Sequence, residues 1–151
     1  MSKKGNLWSK RLAREISNLE NNKIEGVEIS PTEDILIWKG HINGPKNSPF
    51  EGGEFKLVIN FTKNYPFKPP SVKFLEPEKI FHPNFYRDGK ICIDILQSKW
   101  SAALSVQNLL LSIISLFMDP NPKSPANRQA AIMFSNDYNE YCKEVKKRLV
   151  K

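Results

Sequence analysis

Glu54-Phe55-Lys56-Leu57-Val58-Ile59-Asn60-Phe61 is the stretch whose reading decides the fold. Phe55, Leu57, Ile59 and Phe61 alternate with Glu54, Lys56, Val58 and Asn60. Successive side chains of an extended chain point to opposite faces, so this alternation predicts a strand with one face on a core. The period of two holds from Val27 to Phe74. Ile35 to Ile42 reads as a longer strand closed by Asn43-Gly44-Pro45. Turn residues from Pro49 to Gly53 lead into the strand at Phe55, and a short strand at Val72–Leu75 follows Pro69-Pro70. Consecutive strands joined by short turns predict an antiparallel meander, because parallel pairing needs crossovers of a dozen or more residues.

Outside the meander the period changes to that of a helix. Residues 6–21 place Trp8, Leu12, Ile16 and Leu19 on one face, with Lys10, Arg11 and Arg14 elsewhere. Ser105 is an N-cap for an apolar helix carrying Val106, Leu109, Leu110, Ile113, Ile114 and Phe117. Its wide apolar face predicts the central core helix, and Asp119-Pro120-Asn121-Pro122 ends it. Pro125 suits the first turn of a helix over 125–134. A last helix over 137–150 aligns Tyr138, Tyr141, Cys142, Val145 and Leu149, which assigns Cys142 to core packing. The order is helix, four strands, loop, three helices, an α+β class in one domain spanning residues 1–151. Between Pro66 and Ser105 the pattern is irregular, and long structureless segments inside compact domains are usually functional.

Composition bounds the function. The chain has 151 residues, of which 40% are hydrophobic and 11% aromatic, a globular composition. The longest apolar run, Leu109 to Met118, contains Ser112 and Ser115 and falls short of a membrane span. Neither a signal peptide nor a lipidation signal is legible, so the expectation is a soluble intracellular protein, cytoplasmic and/or nuclear, and a monomer. Two cysteines are too few for a disulfide framework, and His41, His82, Cys92 and Cys142 lack zinc-type spacing, so no metal is expected.

The net charge of +7 is uneven. Residues 1–14 carry five basic and no acidic side chains, and residues 143–151 carry five basic and one acidic. Two solvated helix ends explain this as well as a docking surface for an acidic partner does. No aromatic-interleaved basic stretch supports direct nucleic-acid binding.

Cys92 stands eight residues after His82-Pro83-Asn84 and just before Asp94-Ile95-Leu96 and Trp100. A lone free cysteine is most often a small buried hydrophobe. A cysteine hydrolase needs a base, for which His41 and His82 are the only histidines, and no hydrolase-type signature surrounds Cys92. A redox thiol usually has a resolving cysteine nearby, and positions 89 and 95 hold Gly89 and Ile95. Thioester relay fits best, because exchange between two thiols is nearly isoenergetic and needs no strong base. Later transfer to an amine benefits from a donor to the developing oxyanion, which the amide of Asn84 can supply. A turn residue bonding its own backbone is the plainer reading of Asn84.

These residues resemble the ubiquitin-conjugating enzyme family. The resemblance rests on His82-Pro83-Asn84, Cys92, Asp94-Ile95-Leu96, Trp100 and Asp119-Pro120-Asn121-Pro122. Upstream, Gly44-Pro45, Ser48-Pro49-Phe50, Gly52-Gly53 and Tyr65-Pro66-Phe67-Lys68-Pro69-Pro70 match as well. It spans nearly the whole chain. It implies one N-terminal helix, a four-stranded meander and three C-terminal helices. It implies that Cys92 receives ubiquitin, or a modifier of the SUMO or NEDD8 type, from an activating enzyme as a thioester. A substrate lysine or a ligase cysteine (RING- or HECT-type partners) then takes it. ATP belongs to the activating enzyme, so no cofactor is implied in this chain. A non-catalytic ubiquitin-binding scaffold is the alternative, against which the presence of Cys92 in its motif argues.

The resemblance also implies site roles. Asn84 matches the family's oxyanion or loop-organising asparagine, and Asp94 supports the active site. Ser124 matches a cleft-flanking position where many relatives carry Asp. Lys10, Arg11 and Arg14 on the first helix, with Phe67, Lys68, Ala102 and Ala103 on two loops, match the activating-enzyme and ligase surface. Many relatives have proline where Ala102 stands. Ser124-Pro125-Ala126-Asn127 with Ala130-Ala131 is similar to the subgroup that modifies histones and serves DNA-damage tolerance, from whose spacing Glu76-Pro77 departs by about two residues.

Overall fold

The computed structural model describes residues 7–150. Helix α1 (Leu7–Asn21) leads into strands β1 (Val27–Pro31), β2 (Ile37–Asn43), β3 (Glu54–Asn60) and β4 (Ser71–Phe74). Helices α2 (Val106–Met118), α3 (Arg128–Asn136) and α4 (Tyr138–Leu149) close the chain. The sheet runs β1-β2-β3-β4, each neighbouring pair antiparallel, which is the expected meander. The predicted α+β architecture is therefore the observed one.

In β3 the side chains of Phe55, Leu57 and Ile59 are buried and Glu54, Lys56 and Asn60 exposed. The short strand read at Val72–Leu75 is Ser71–Phe74, and the starts of two elements shift by two residues or more. β2 starts at Ile37 rather than Ile35, because Asp34 holds a turn there: its side chain accepts from the Leu36 amide (2.9 Å) and its carbonyl from that of Ile37 (2.9 Å). α3 starts at Arg128 rather than 125. Asn127 caps it, accepting from the Ala130 amide at 3.0 Å, and the amides of Ala126 and Asn127 both donate to the carbonyl of Pro83 (2.8 and 2.9 Å). Residues 124–127 are thus held against the His82-Pro83-Asn84 loop instead of joining the helix.

α2 is the core helix. Val106, Leu109, Leu110, Ile113 and Phe117 are buried, and Ser105 with Asn108 forms the reciprocal hydrogen bonds of a capping box. Phe117 lies within ring contact of Phe50, Phe55, Phe74, His82 and Phe85. This aromatic cluster joins the sheet to the Cys92 loop. Cys142 packs partly buried against the core, as its stripe predicted. Glu76-Pro77, the departure in spacing, opens a short 3₁₀ turn (Pro77–Lys79) lying against α4. Among the described residues no helix is long and apolar enough to cross a membrane.

Candidate active site

The loop carrying Cys92 is built by a tight reversal. The Gly89 amide donates to the Tyr86 carbonyl (3.1 Å), the Tyr86 amide to the Lys90 carbonyl (2.9 Å) and the Phe74 amide to the Gly89 carbonyl (2.8 Å). Gly89 has φ +92°, and a Cβ there would stand 2.1 Å from the Phe74 carbonyl, so conformation and space both demand glycine. Phe85 then pairs with Ile91, and the Cys92 amide donates to the Asn84 carbonyl at 2.8 Å. Cys92 is a free, partly exposed thiol.

Asn84 is 1% exposed. Its Nδ2 donates to the carbonyls of Asn121 (2.8 Å) and Ser124 (3.1 Å), and its Oδ1 accepts from the Asn121 amide (2.9 Å). Both amide hydrogens are therefore engaged on the 121–124 segment. Of the two roles the resemblance implies, these bonds serve loop organisation; a donor to an oxyanion would first have to leave one of the carbonyls.

His82 is fully buried. Nε2 bonds the Leu116 carbonyl at 2.7 Å and Nδ1 accepts from the Asn84 amide at 3.0 Å. That assignment fixes the tautomer: Nε2 carries the hydrogen. Burial pushes the imidazole down to about 4, outweighing the opposing bond to Leu116. His82 is a neutral strut of the loop and has no nitrogen left to serve as a base.

Cys92, Asp94, Gln97, Ser115, Asp119 and Ser124 line a common cleft of about 380 Å³. The structure thus unites three residues singled out from sequence, Cys92, Asp94 and Ser124, and positions Asn84 behind the wall that Asn121 and Ser124 form. It adds Asp119, which the sequence marked as a helix stop and as part of the Asp119-Pro120-Asn121-Pro122 motif but not as a site residue. It also adds Tyr86, whose exposed phenol is raised above its ordinary value by the Cys92 side chain, first through hydrogen bonding and then through the thiolate's charge. No sequence signal singles out Tyr86, because only the reversal at Gly89 brings positions 86 and 92 together.

The second predicted surface is organised around Glu15, a carboxylate only 5% exposed. Its Oε2 accepts from Arg11 Nε (2.9 Å) and from the Tyr65 hydroxyl, and its Oε1 accepts from the Val106 amide (2.6 Å), the first residue of α2. An acid there meets the unpaired amides and positive end of a helix N-terminus. Burial and the Glu15 bond together push the Tyr65 phenol up. Arg11, expected with Lys10 and Arg14 on the docking surface, engages its donors within the chain. Its Nη1 and Nη2 donate to the carbonyls of Ala102 (2.9 Å) and Leu104 (2.8 Å), and its side chain is 14% exposed. Planar guanidinium can donate to three acceptors at once, and here it clamps α1 to the Ala102–Ala103 loop. Lys10 and Arg14 are exposed. Phe67 is 68% exposed beside exposed Lys68, and Trp100 Nε1 ties the two loops by donating to the Pro66 carbonyl at 2.8 Å. Phe67, Lys68, Ala102 and Ala103 therefore border one network with α1.

The family model described as ubiquitin-conjugating enzyme matches residues 11–149. A Caenorhabditis elegans protein named ubiquitin-conjugating enzyme E2 1 is 50% identical over 137 residues, covering 90% of this chain and 70% of its own length. Proteins named ubiquitin-conjugating enzyme E2 2 are similarly alike. That of Mycosarcoma maydis is 47% identical over 138 residues (91% of this chain, 74% of its own), and that of Kluyveromyces lactis 45% over 143 residues (94% and 86%).

Proposed function

The chain belongs to the ubiquitin-conjugating enzyme family, and on that premise we propose that Cys92 is the residue that carries the modifier, with ubiquitin as that modifier. Members of the family act with ubiquitin, an activating enzyme and ligases in general. In the finer reading, the Cys92 thiolate attacks the thioester carbonyl of modifier held on the activating enzyme. The new C–S bond forms as the old one breaks, and the activating enzyme's thiol leaves. A lysine amine then attacks the carbonyl on Cys92, the C–S bond breaks, an isopeptide forms and the Cys92 thiol is regenerated. ATP is consumed by the activating enzyme before either step.

The observation that carries this reading is a partly exposed thiol in a cleft whose neighbouring histidine is neutral, buried and doubly bonded. Base-dependent hydrolase chemistry lacks its base at His82, whereas thiol exchange needs none. In this reading Asn84 organises the 121–124 wall, Ser124 and Asp119 face the incoming amine, and Asp94 helps hold the mouth of the cleft. Lys10 and Arg14 dock the activating enzyme, and Phe67, Lys68, Ala102 and Ala103 present the ligase surface.

The test is incubation with activating enzyme, ATP and tagged modifier, followed by non-reducing electrophoresis. A reductant-sensitive ubiquitin adduct absent from Cys92→Ala supports the reading. An adduct only with a SUMO- or NEDD8-type modifier and its own activating enzyme overturns the choice of modifier. No adduct with any of them overturns catalysis and leaves a binding scaffold.

A further inference from the structure

β1 lies at the edge of the sheet, paired with β2 alone. The Asn43 amide donates to the Gly26 carbonyl and the Thr32 amide to the Ile37 carbonyl. Bonded pairs in an antiparallel ladder recur at every second residue, so Glu28 and Ser30 turn their backbone to β2 while Val27, Ile29 and Pro31 turn theirs outward. The Val27 amide is taken by the Ile24 carbonyl (3.1 Å), and Pro31 has no amide hydrogen. Within β1 that leaves a single outward donor, the Ile29 amide, beside the outward carbonyls of Val27, Ile29 and Pro31. The edge is blunted against strand addition.

What lies beside this edge is a groove of about 590 Å³ between α1 and β1. Ile16 and Leu19 of α1, Ile24 of the connecting loop, and Val27 and Ile29 of β1 supply its apolar lining, each only partly buried. Glu20, Glu25 and Glu28 stand on it with a single Lys23, all four exposed. Lys46 approaches Glu25 at 3.8 Å, but with side chains 82% and 91% exposed that pair is weak. Residues 20–34 hold five acidic side chains and one basic, in a chain whose net charge is +7.

We infer that this groove is a docking site for a basic amphipathic segment of a partner protein. The segment's apolar face fills the lining between α1 and β1, and its Lys or Arg side chains meet Glu20, Glu25 and Glu28. Recognition runs through side chains, in the manner of a helix in a groove, because the blunted edge offers too few backbone donors for an added strand. The excess positive charge sits at the two ends of the chain, whereas residues 20–34 concentrate acidic side chains, so the acidic rim also selects where such a segment lands.

The test uses the full chain, isotope-labelled, and a synthetic amphipathic helix of about 15 residues built from Leu and Lys. Two control peptides replace its Lys by Glu or its Leu by Ser. Amide shifts are expected to concentrate at Ile16, Leu19, Ile24 and Ile29 with the Leu/Lys peptide and to be lost with either control. The triple variant Glu20→Lys, Glu25→Lys, Glu28→Lys, altered only at exposed positions, is expected to bind the Leu/Lys peptide about tenfold more weakly and to gain affinity for the Leu/Glu one. Shifts centred elsewhere, equal binding of the Leu/Ser peptide, or an unchanged affinity in the triple variant overturns the proposal. Concentration-dependent shifts at the same amides without peptide would overturn it too, by assigning the groove to a second copy of this chain.

Discussion

Asn84 Nδ2 donates to the backbone carbonyl of Ser124 at 3.1 Å, so the loop before the thiol and the far wall of the cleft form one unit. Asn84→Ala would leave the Asn121 amide and two carbonyls without their partner. A buried polar group left unbonded costs roughly 1–3 kcal/mol, and Asn121 and Ser124, being exposed, fall at or below the low end because water can replace the lost partner. Asn84→Ala is therefore expected to lower the denaturant midpoint and to slow lysine discharge together. A residue that served only as an oxyanion donor would slow discharge and leave the midpoint unchanged.

Ser124 faces Cys92 across the cleft, with the carboxylates of Asp94 and Asp119 already on its lining. Ser124→Asp adds a third acid where an incoming amine must lose its proton, and single-turnover discharge to free lysine is expected to accelerate. A phosphate at Ser124 carries about −1.5 to −2 charges and is expected to act in the same direction. An unchanged discharge rate in Ser124→Asp would count against both.

Tyr86 reports on the thiol. Its phenol is raised first by hydrogen bonding to the Cys92 side chain and then by the thiolate's charge. Cys92→Ala removes both, so the Tyr86 ionisation is expected to move to lower pH. Ultraviolet titration of tyrosinate, with Tyr86→Phe identifying the signal, measures the shift.

His82 makes stability depend on pH. Its folded value of about 4 lies below the ordinary 6.5, so the unfolded chain binds a proton that the native chain refuses. Stability from this residue is complete above the unfolded value, falls as pH drops from there towards about 4, and levels off below. The full change is about 3 kcal/mol. Unfolding free energies at a series of pH values across this window should show the slope, and His82→Gln should remove it.

Arg11 and its neighbours on α1 separate by function. Arg11→Ala strips Glu15 of its cation and two loop carbonyls of their donor, and removing one partner of a buried pair costs about 3–5 kcal/mol. Thermal unfolding should fall sharply. Lys10→Glu with Arg14→Glu, both exposed, should leave stability within about 0.5 kcal/mol. Thioester charging by that double variant should slow, most at low salt, because exposed charges are screened over about 8–10 Å near physiological ionic strength.

Much of this molecule is legible in the chain itself. Alternation at Phe55, Leu57 and Ile59, the helical stripe on α2 with Ser105 before it, and short turns between strands specify the meander and its helices, because local period decides which face meets a core. Cys92, Asp94 and Ser124 could be picked out from residue type, spacing and family resemblance. What local pattern does not encode is who meets whom across the fold. Pro83 accepts two amides and delays α3 to Arg128, Gly89 folds Tyr86 onto Cys92, and Glu15 draws Arg11 away from solvent into a clamp on the Ala102 loop. A charged residue on a helix looks the same in sequence whether it faces water or a buried acid. Only packing, which sets the local dielectric and the available partners, decided that Arg11 is structural, that His82 is neutral, and that the amide of Asn84 holds the wall of the cleft.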